Sequence, residues 1–241
     1  MNVNSLIIGI VGGMGPLATV DLFRRLVEAF PSERDWEKPH IIVDSYSTIP
    51  SRVRAVLYDE KKSEVVDCLA ASIRHLQDMG AQKIIVGCHT AHIFLPEVLS
   101  RLQCREDCVL NIIDSAVIYC AHAGYRSIRL LASEGTVQTK IYTMAFERVG
   151  IDIINPTEEE QIQIRSCIEA VKQNLITDEA IRSFQNLIKM DENPVLLGCS
   201  ELPVMYESIQ NKGICFGNDI IDPFQIVIDD LSGINEIKRY E

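Results

Sequence analysis

Short apolar runs alternate along the chain with longer stretches whose apolar residues recur at helical spacing. The runs at 5–11 (SLIIGIV), 40–44 (HIIVD), 83–87 (KIIVG), 109–113 (VLNII), 127–132 (SIRLLA), 151–154 (IDII) and 194–198 (PVLLG) predict strands. They are rich in Ile, Val and Leu without strict alternation, as parallel strands covered on both faces must be. Between 60 and 79, Val66, Leu69, Ala70, Ile73 and Leu76 make a helical stripe, and Gly80 stops it. Over 157–174, Thr157 and Glu160 form a capping box just after Pro156. Strand followed by helix throughout predicts an α/β fold with parallel sheets.

The two halves echo each other. KIIVGCHTAH (83–92) and PVLLGCSELP (194–203) both run from an apolar strand into Gly-Cys and a hydroxyl residue near a helix start. Upstream of each, IVGGMGPLAT (10–19) and LLASEGTVQT (130–139) carry a strand into a turn of small residues. This repeat predicts two pseudo-symmetric, doubly wound parallel-sheet lobes with a site in the cleft between them. The expected division gives the first lobe residues 1–113 plus 211–241 and the second lobe residues 114–210. The segment 220–231 is expected as a helix returning to the first lobe.

Composition narrows the function. The chain has 241 residues, 47% hydrophobic and 24% charged, with a formal net charge of −11. That is an ordinary globular balance, and the acidic surplus speaks against nucleic acid or an anionic membrane as a partner. No apolar stretch approaches the roughly 20 residues of a spanning helix, and MNVNSLIIGIVGGMG lacks a basic leader. A cytoplasmic location is expected. Eight cysteines diluted over this length read as reduced thiols, with Cys68, Cys120 and Cys167 in helical patterns as packing residues. Cys104 and Cys108 lie in a charged connection without paired ligands.

Two features carry chemistry. Gly13-Met14-Gly15-Pro16-Leu17-Ala18 follows the first strand and fits the dinucleotide pattern, with Asp44 where a ribose-binding acid could stand. It equally fits a tight turn into a helix with Pro16 at the first position, whose free N–H groups hold any small anion. The second feature is the pair Cys88 and Cys199, each past the end of a strand and near a helix start that favours thiolate. Three chemistries are open to opposed thiols: a disulfide, a metal site assisted by His89 and His92, or two-base proton transfer at a carbon acid. The last needs one sulfur charged and the other protonated. His92, one turn after Cys88, reads as a capping or packing residue.

The motifs in order resemble the aspartate/glutamate racemase family, the cofactor-independent two-cysteine enzymes, and most of all its aspartate racemase branch. Gly12 through Thr19 resembles that branch's opening, and Ile49-Pro50 with Arg52 resembles its Ile-Pro-Asp-Arg loop. Cys88-His89-Thr90-Ala91-His92 parallels Cys-Asn-Thr-Ala-His, and Gly198-Cys199-Ser200-Glu201 parallels Gly-Cys-Thr-Glu. Gly135-Thr136 and Pro156 through Gln161 recur in register.

The resemblance implies an amino-acid racemase interconverting L- and D-aspartate or glutamate, without a cofactor or metal and with a small amino acid as its partner. It implies Cys88 and Cys199 as the two acid/base groups. His89, Thr90 and Ser200, with backbone N–H groups near Met14, Gly15 and Thr136, would hold the α-carboxylate and amine. Arg52 would take the distal carboxylate, and Glu201 would orient or deprotonate Cys199. A homodimer is expected. Three positions depart from the pattern: His89 for Asn, Ser51 for Asp, and Ile162 where aspartate racemases carry a Lys. The competing readings are a maleate-type isomerase of the same superfamily, an NAD-binding oxidoreductase and a silent carboxylate-binding protein.

Overall fold

The computed structural model describes residues 6–102 and 108–233, so Cys104 lies outside the described residues. In the first sheet, β1 (Ile7–Gly12) lies between β2 (His40–Ser45) and β3 (Lys83–Val86), and β4 (Val109–Leu110) forms the edge beyond β3. In the second, β5 (Ser127–Ala132) lies between β6 (Asp152–Ile154) and β7 (Val195–Gly198), with β8 (Ile220–Ile221) beyond β7. Every pairing is parallel. The orders β2-β1-β3-β4 and β6-β5-β7-β8 are the same order advanced by four strands, so the sequence echo is a repeat of the whole sheet.

The helices follow in chain order as α1 (Pro16–Glu28), α2 (Arg52–Tyr58), α3 (Lys62–Asp78), α4 (Leu95–Leu102), α5 (Ile112–Ala123) and α6 (Glu134–Gln138). Then come α7 (Ile141–Glu147), α8 (Glu158–Lys172), α9 (Asp178–Ile188), α10 (Glu201–Gln210) and α11 (Pro223–Ser232). The capping box starts α8 as expected: the Glu160 backbone N–H donates to Thr157 Oγ1 at 3.2 Å, and Glu160 Oε2 accepts from the Thr157 N–H at 2.6 Å. None of the helices among the described residues is long and apolar enough to cross a membrane.

Three apolar cores result. Val11, Ile84 and Val86 pack under Val66, Leu69 and Ile73 of α3, and Leu131, Val195 and Leu197 pack with Ile164, Phe184 and Met205 in the second lobe. The third core joins the lobes. Ile8 and Ile10, alternate residues of β1 and so on one face of it, meet Leu130, Leu196, Ile221, Ile112, Tyr142, Phe146 and Phe224 there. Burial of each large side chain contributes about 1.5–3 kcal/mol, so the lobes are held by a shared core rather than a linker.

Two boundaries differ from expectation. The run 109–113 is strand only to Leu110, because Asn111 accepts from the N–H groups of Ile113 and Asp114 and caps α5. The segment 220–231 opens with strand β8, which pairs with β7, before Asp222 caps α11. Residues 220–221 therefore belong to the second sheet rather than to the first lobe. The helix that follows packs against α5 and α1, across the seam.

Candidate active site

β3 and β7, which hold equivalent places in the two sheets, each deliver a cysteine just past their ends. Cys88 is buried, Cys199 is half-buried, and both are free thiols. Cys88 lies near enough to Cys199 to act on it electrostatically, the weakest of the influences on that thiol. The disulfide alternative does not describe this structure.

Around Cys199 the sequence expectation needs correction. The Cys199 thiol donates to Glu201 Oε2 at 3.0 Å, and Ser200 Oγ donates to the same oxygen at 3.1 Å. Burial first, and the Glu201 carboxylate second, push this thiol well above its ordinary pKa, although the Glu201 N–H at the start of α10 pulls the other way. The helix terminus loses to desolvation and a like charge. Cys199 rests as a thiol. Its carboxylate partner is buried at 2% exposure, and among the described residues Glu201 Oε1 has no hydrogen-bond partner. That oxygen faces the first lobe, 3.0 Å from where a Cβ on Gly15 would stand.

Cys88 leads into a short 3-10 turn over Thr90–Phe94 rather than directly into an α-helix. His89 Nδ1 lies 2.7 Å from the Tyr142 hydroxyl of α7, and its ring meets Phe224 edge-on at 4.8 Å. Burial first, then His92 and Arg25, hold His89 well below the usual imidazole range, so it is neutral near pH 7. Thr90 Oγ1 lies 2.9 Å from Thr136 Oγ1 and 3.0 Å from Ser133 Oγ, which ties the two lobes together by hydroxyls. His92 Nδ1 contacts the Cys88 carbonyl at 2.9 Å, the capping role expected of it. Burial holds its pKa at about 4. Among the described residues no group of three or more His, Cys, Asp or Glu side chains is placed to hold a metal ion.

The opening loop is committed in a similar way. The Gly13 N–H donates to Thr19 Oγ1 at 2.9 Å, and Thr19 Oγ1 donates to Gly15 O at 2.8 Å. Pro16 supplies no donor. Asp44 accepts from Ser72 at 2.5 Å, so the acid that would hold a ribose is engaged inside the first lobe. Met14 is buried beside these turns. A dinucleotide finds little to bind here.

Arg52 opens α2, which packs on α6 of the second lobe and on the turn at 90–94. Its Nη1 donates to the carbonyls of Ile49 and Pro50 at 3.1 and 3.0 Å, while its Nε is buried without a partner among the described residues. Ile162 is 65% exposed on α8, with Tyr58, Glu134 and Gln161 around the same surface hollow. A cation that α8 brings toward Cys199 is Lys172, at the helix's other end. Its side chain comes within 4.0 Å of the Gly15 Cβ position. Burial opposes its charge, but Glu169, Glu201 and Cys199 outweigh burial and raise its pKa. Its ammonium donates to Glu169 Oε1, three residues back, at 2.9 Å, and sequence reading missed its place here because Gly15 and Glu201 lie far away in the chain. The one signal was its place at the end of the helix that the capping box begins.

Parallel sheets in duplicate, with a thiol at the end of the same strand in each, define a two-lobed α/β protein with paired cysteines. The profile described as Asp/Glu/Hydantoin racemase matches residues 11–231, and the chain belongs to that family. It is 24% identical over 212 residues to the broad specificity amino-acid racemase RacX of Bacillus subtilis, covering 85% of this chain and 89% of that one. Among solved structures, the Picrophilus torridus aspartate racemase is 26% identical with a TM-score of 0.80, covering 95% of each chain. A glutamate racemase from Bacillus anthracis, at 19% identity, shares the fold with a TM-score of 0.62 over 97% of this chain and 82% of that one. The membership and the racemase relatives support amino-acid racemase activity.

Proposed function

We propose that the protein racemises amino acids without pyridoxal phosphate, by proton transfer at Cα between Cys88 and Cys199. The observation that supports this is a pair of free thiols past the ends of the equivalent strands β3 and β7, one of which, Cys199, is held as a proton donor by burial and by its hydrogen bond to Glu201. In one direction the Cys88 thiolate takes the Cα proton, and the Cys199 S–H delivers its own to the opposite face. The product leaves with Cys88 protonated and Cys199 as thiolate, the form that receives the other enantiomer. Return to the first form moves the proton on Cys88 to solvent and one from solvent to Cys199, with the Glu201 carboxylate at hydrogen-bond distance as the relay and Lys172 offsetting negative charge near Cys199.

Thr90, Thr136 and Ser200, with His89 and the N–H groups near Met14 and Gly15, form the polar surround that orients the α-carboxylate and amine. Arg52 and Lys172 are the two cations at hand for a distal carboxylate, which favours aspartate or glutamate. We infer a homodimer in the cytoplasm from the family likeness. Chiral chromatography of L-aspartate, L-glutamate and neutral L-amino acids, incubated with dialysed enzyme and no added cofactor, tests the assignment. Appearance of the D-enantiomer from a dicarboxylic substrate is expected. Loss of activity on dialysis, restored by pyridoxal phosphate, would overturn it.

A further inference from the structure

His89 is 1% exposed, and among the described residues its ring has one hydrogen-bond partner, the Tyr142 hydroxyl, reached across the seam between the lobes. Nε2 is buried with no partner. Two proton arrangements fit the 2.7 Å contact. If Nδ1 carried the proton and donated to Tyr142, both the phenol hydrogen and the Nε2 lone pair would be buried and unsatisfied. If the phenol donates to a bare Nδ1, the Nε2–H and the phenol oxygen's lone pairs are left over. Each arrangement leaves one donor and one acceptor unmet, so donor and acceptor strength decide: the phenol O–H is the more acidic donor and the imidazole nitrogen the more basic acceptor, which favours the second arrangement. The neutral state of the ring agrees, since burial suppresses the imidazolium that would need two acceptors.

We propose that Tyr142 is a positioning residue that donates to His89 Nδ1, fixes the Nε2–H tautomer, and so keeps an unpaired, buried N–H donor on the residue that follows Cys88 for a substrate carboxylate. The hydrogen bond on one ring nitrogen decides which nitrogen holds the proton. Tyr142 is suited to hold its ground: it is fully buried, packed against Phe146 at 6.2 Å between centroids, and kept un-ionised by burial. Phe224, edge-on to the imidazole at 82°, limits rotation of the ring from its other side. The residue beside the first thiol is thus set by two elements outside its own lobe's sheet, α7 and α11. The catalytic purpose of this donor rests on the racemase reading above, whereas the tautomer itself does not.

Long-range 15N–1H correlation spectra of the histidine rings test it, with His89 assigned by its loss in His89→Asn. The expected result is the Nε2–H tautomer in the native protein at pH 7, and a mixed tautomer in Tyr142→Phe. A protonated Nδ1 in the native protein would overturn the proposal, and that measurement needs no variant of Tyr142 to fold. In kinetics, Tyr142→Phe is expected to lower kcat/KM about fivefold, chiefly through KM, the scale of one hydrogen bond. In the His89→Asn background the same substitution is expected to cost nothing further. Equal losses in both backgrounds would mean that Tyr142 only packs, and would also overturn the proposal. A protein that carries the Nε2–H tautomer yet racemises no amino acid would support the tautomer assignment and defeat the racemase reading.

Discussion

The Cys199 thiol donates to Glu201 Oε2 at 3.0 Å, while the other oxygen of that carboxylate reaches the Gly15 turn of the opposite lobe. One carboxylate therefore sets the protonation of a sulfur and faces the seam on which the site depends. Replacing it should release the thiol. In Glu201→Gln the Cys199 pKa is expected to fall, and alkylation by iodoacetamide at pH 8 should quicken on the order of tenfold for each pKa unit recovered. Racemisation should slow at the same time. Unchanged alkylation, followed by mass spectrometry of the Cys199 peptide, would remove Glu201 from this role.

Lys172, rather than position 162, is the place on α8 to test charge recognition. Lys172→Met should reduce kcat/KM for aspartate by tenfold or more relative to a neutral amino acid, about 1.4 kcal/mol of lost discrimination. Ile162→Lys, on an exposed surface, should leave the ratio of aspartate to alanine turnover where it was. A shift in that ratio from the Ile162 variant alone would reverse the assignment.

These two residues show what the chain disclosed and what it hid. Seven strands were legible because Ile, Val and Leu run together where both sheet faces are covered, and the capping box at Thr157 located the start of α8. β8 was not, because two residues, Ile220 and Ile221, carry no periodicity and run straight into the Pro223 helix. Both thiols were legible from the repeat. The suppression of Cys199 ionisation was not, because burial is a property of the folded cleft and outweighs the helix terminus that sequence does reveal. Lys172 and Tyr142 come to the site only when the second lobe folds against the first.

The hydroxyl cluster at the seam predicts a tight tolerance at Gly135. A Cβ there would stand 2.9 Å from Thr90 Cγ2 and 3.1 Å from the Val53 Cα. Gly135→Ala is expected to destabilise by about 1–3 kcal/mol through overpacking. At about 2–4 °C per kcal/mol for a chain of this size, the melting temperature should drop visibly in calorimetry. Activity should fall with it, since Thr136 and Thr90 are displaced together. A melting temperature equal to that of the native protein would show that the lobes yield there.

Acid should loosen the fold through His92. Its folded pKa of about 4 lies below the ordinary 6.5, so the unfolded chain binds the proton more readily. Stability from this group is complete above about pH 6.5 and declines as pH falls toward 4, by up to about 3 kcal/mol. Urea titrations of the native protein and of His92→Gln between pH 7 and 4.5 should show a shallower acid slope in the variant. Parallel slopes would place the acid sensitivity elsewhere.

The two-thiol mechanism is tested most directly by deuterium incorporation at Cα in D2O, followed by NMR for each enantiomer of aspartate with the native enzyme, Cys88→Ser and Cys199→Ser. The native enzyme should exchange and racemise both enantiomers. Each variant should lose racemisation, and any exchange it retains should be confined to one enantiomer, opposite for the two. Normal racemisation by both variants would contradict the assignment of Cys88 and Cys199 as the paired bases.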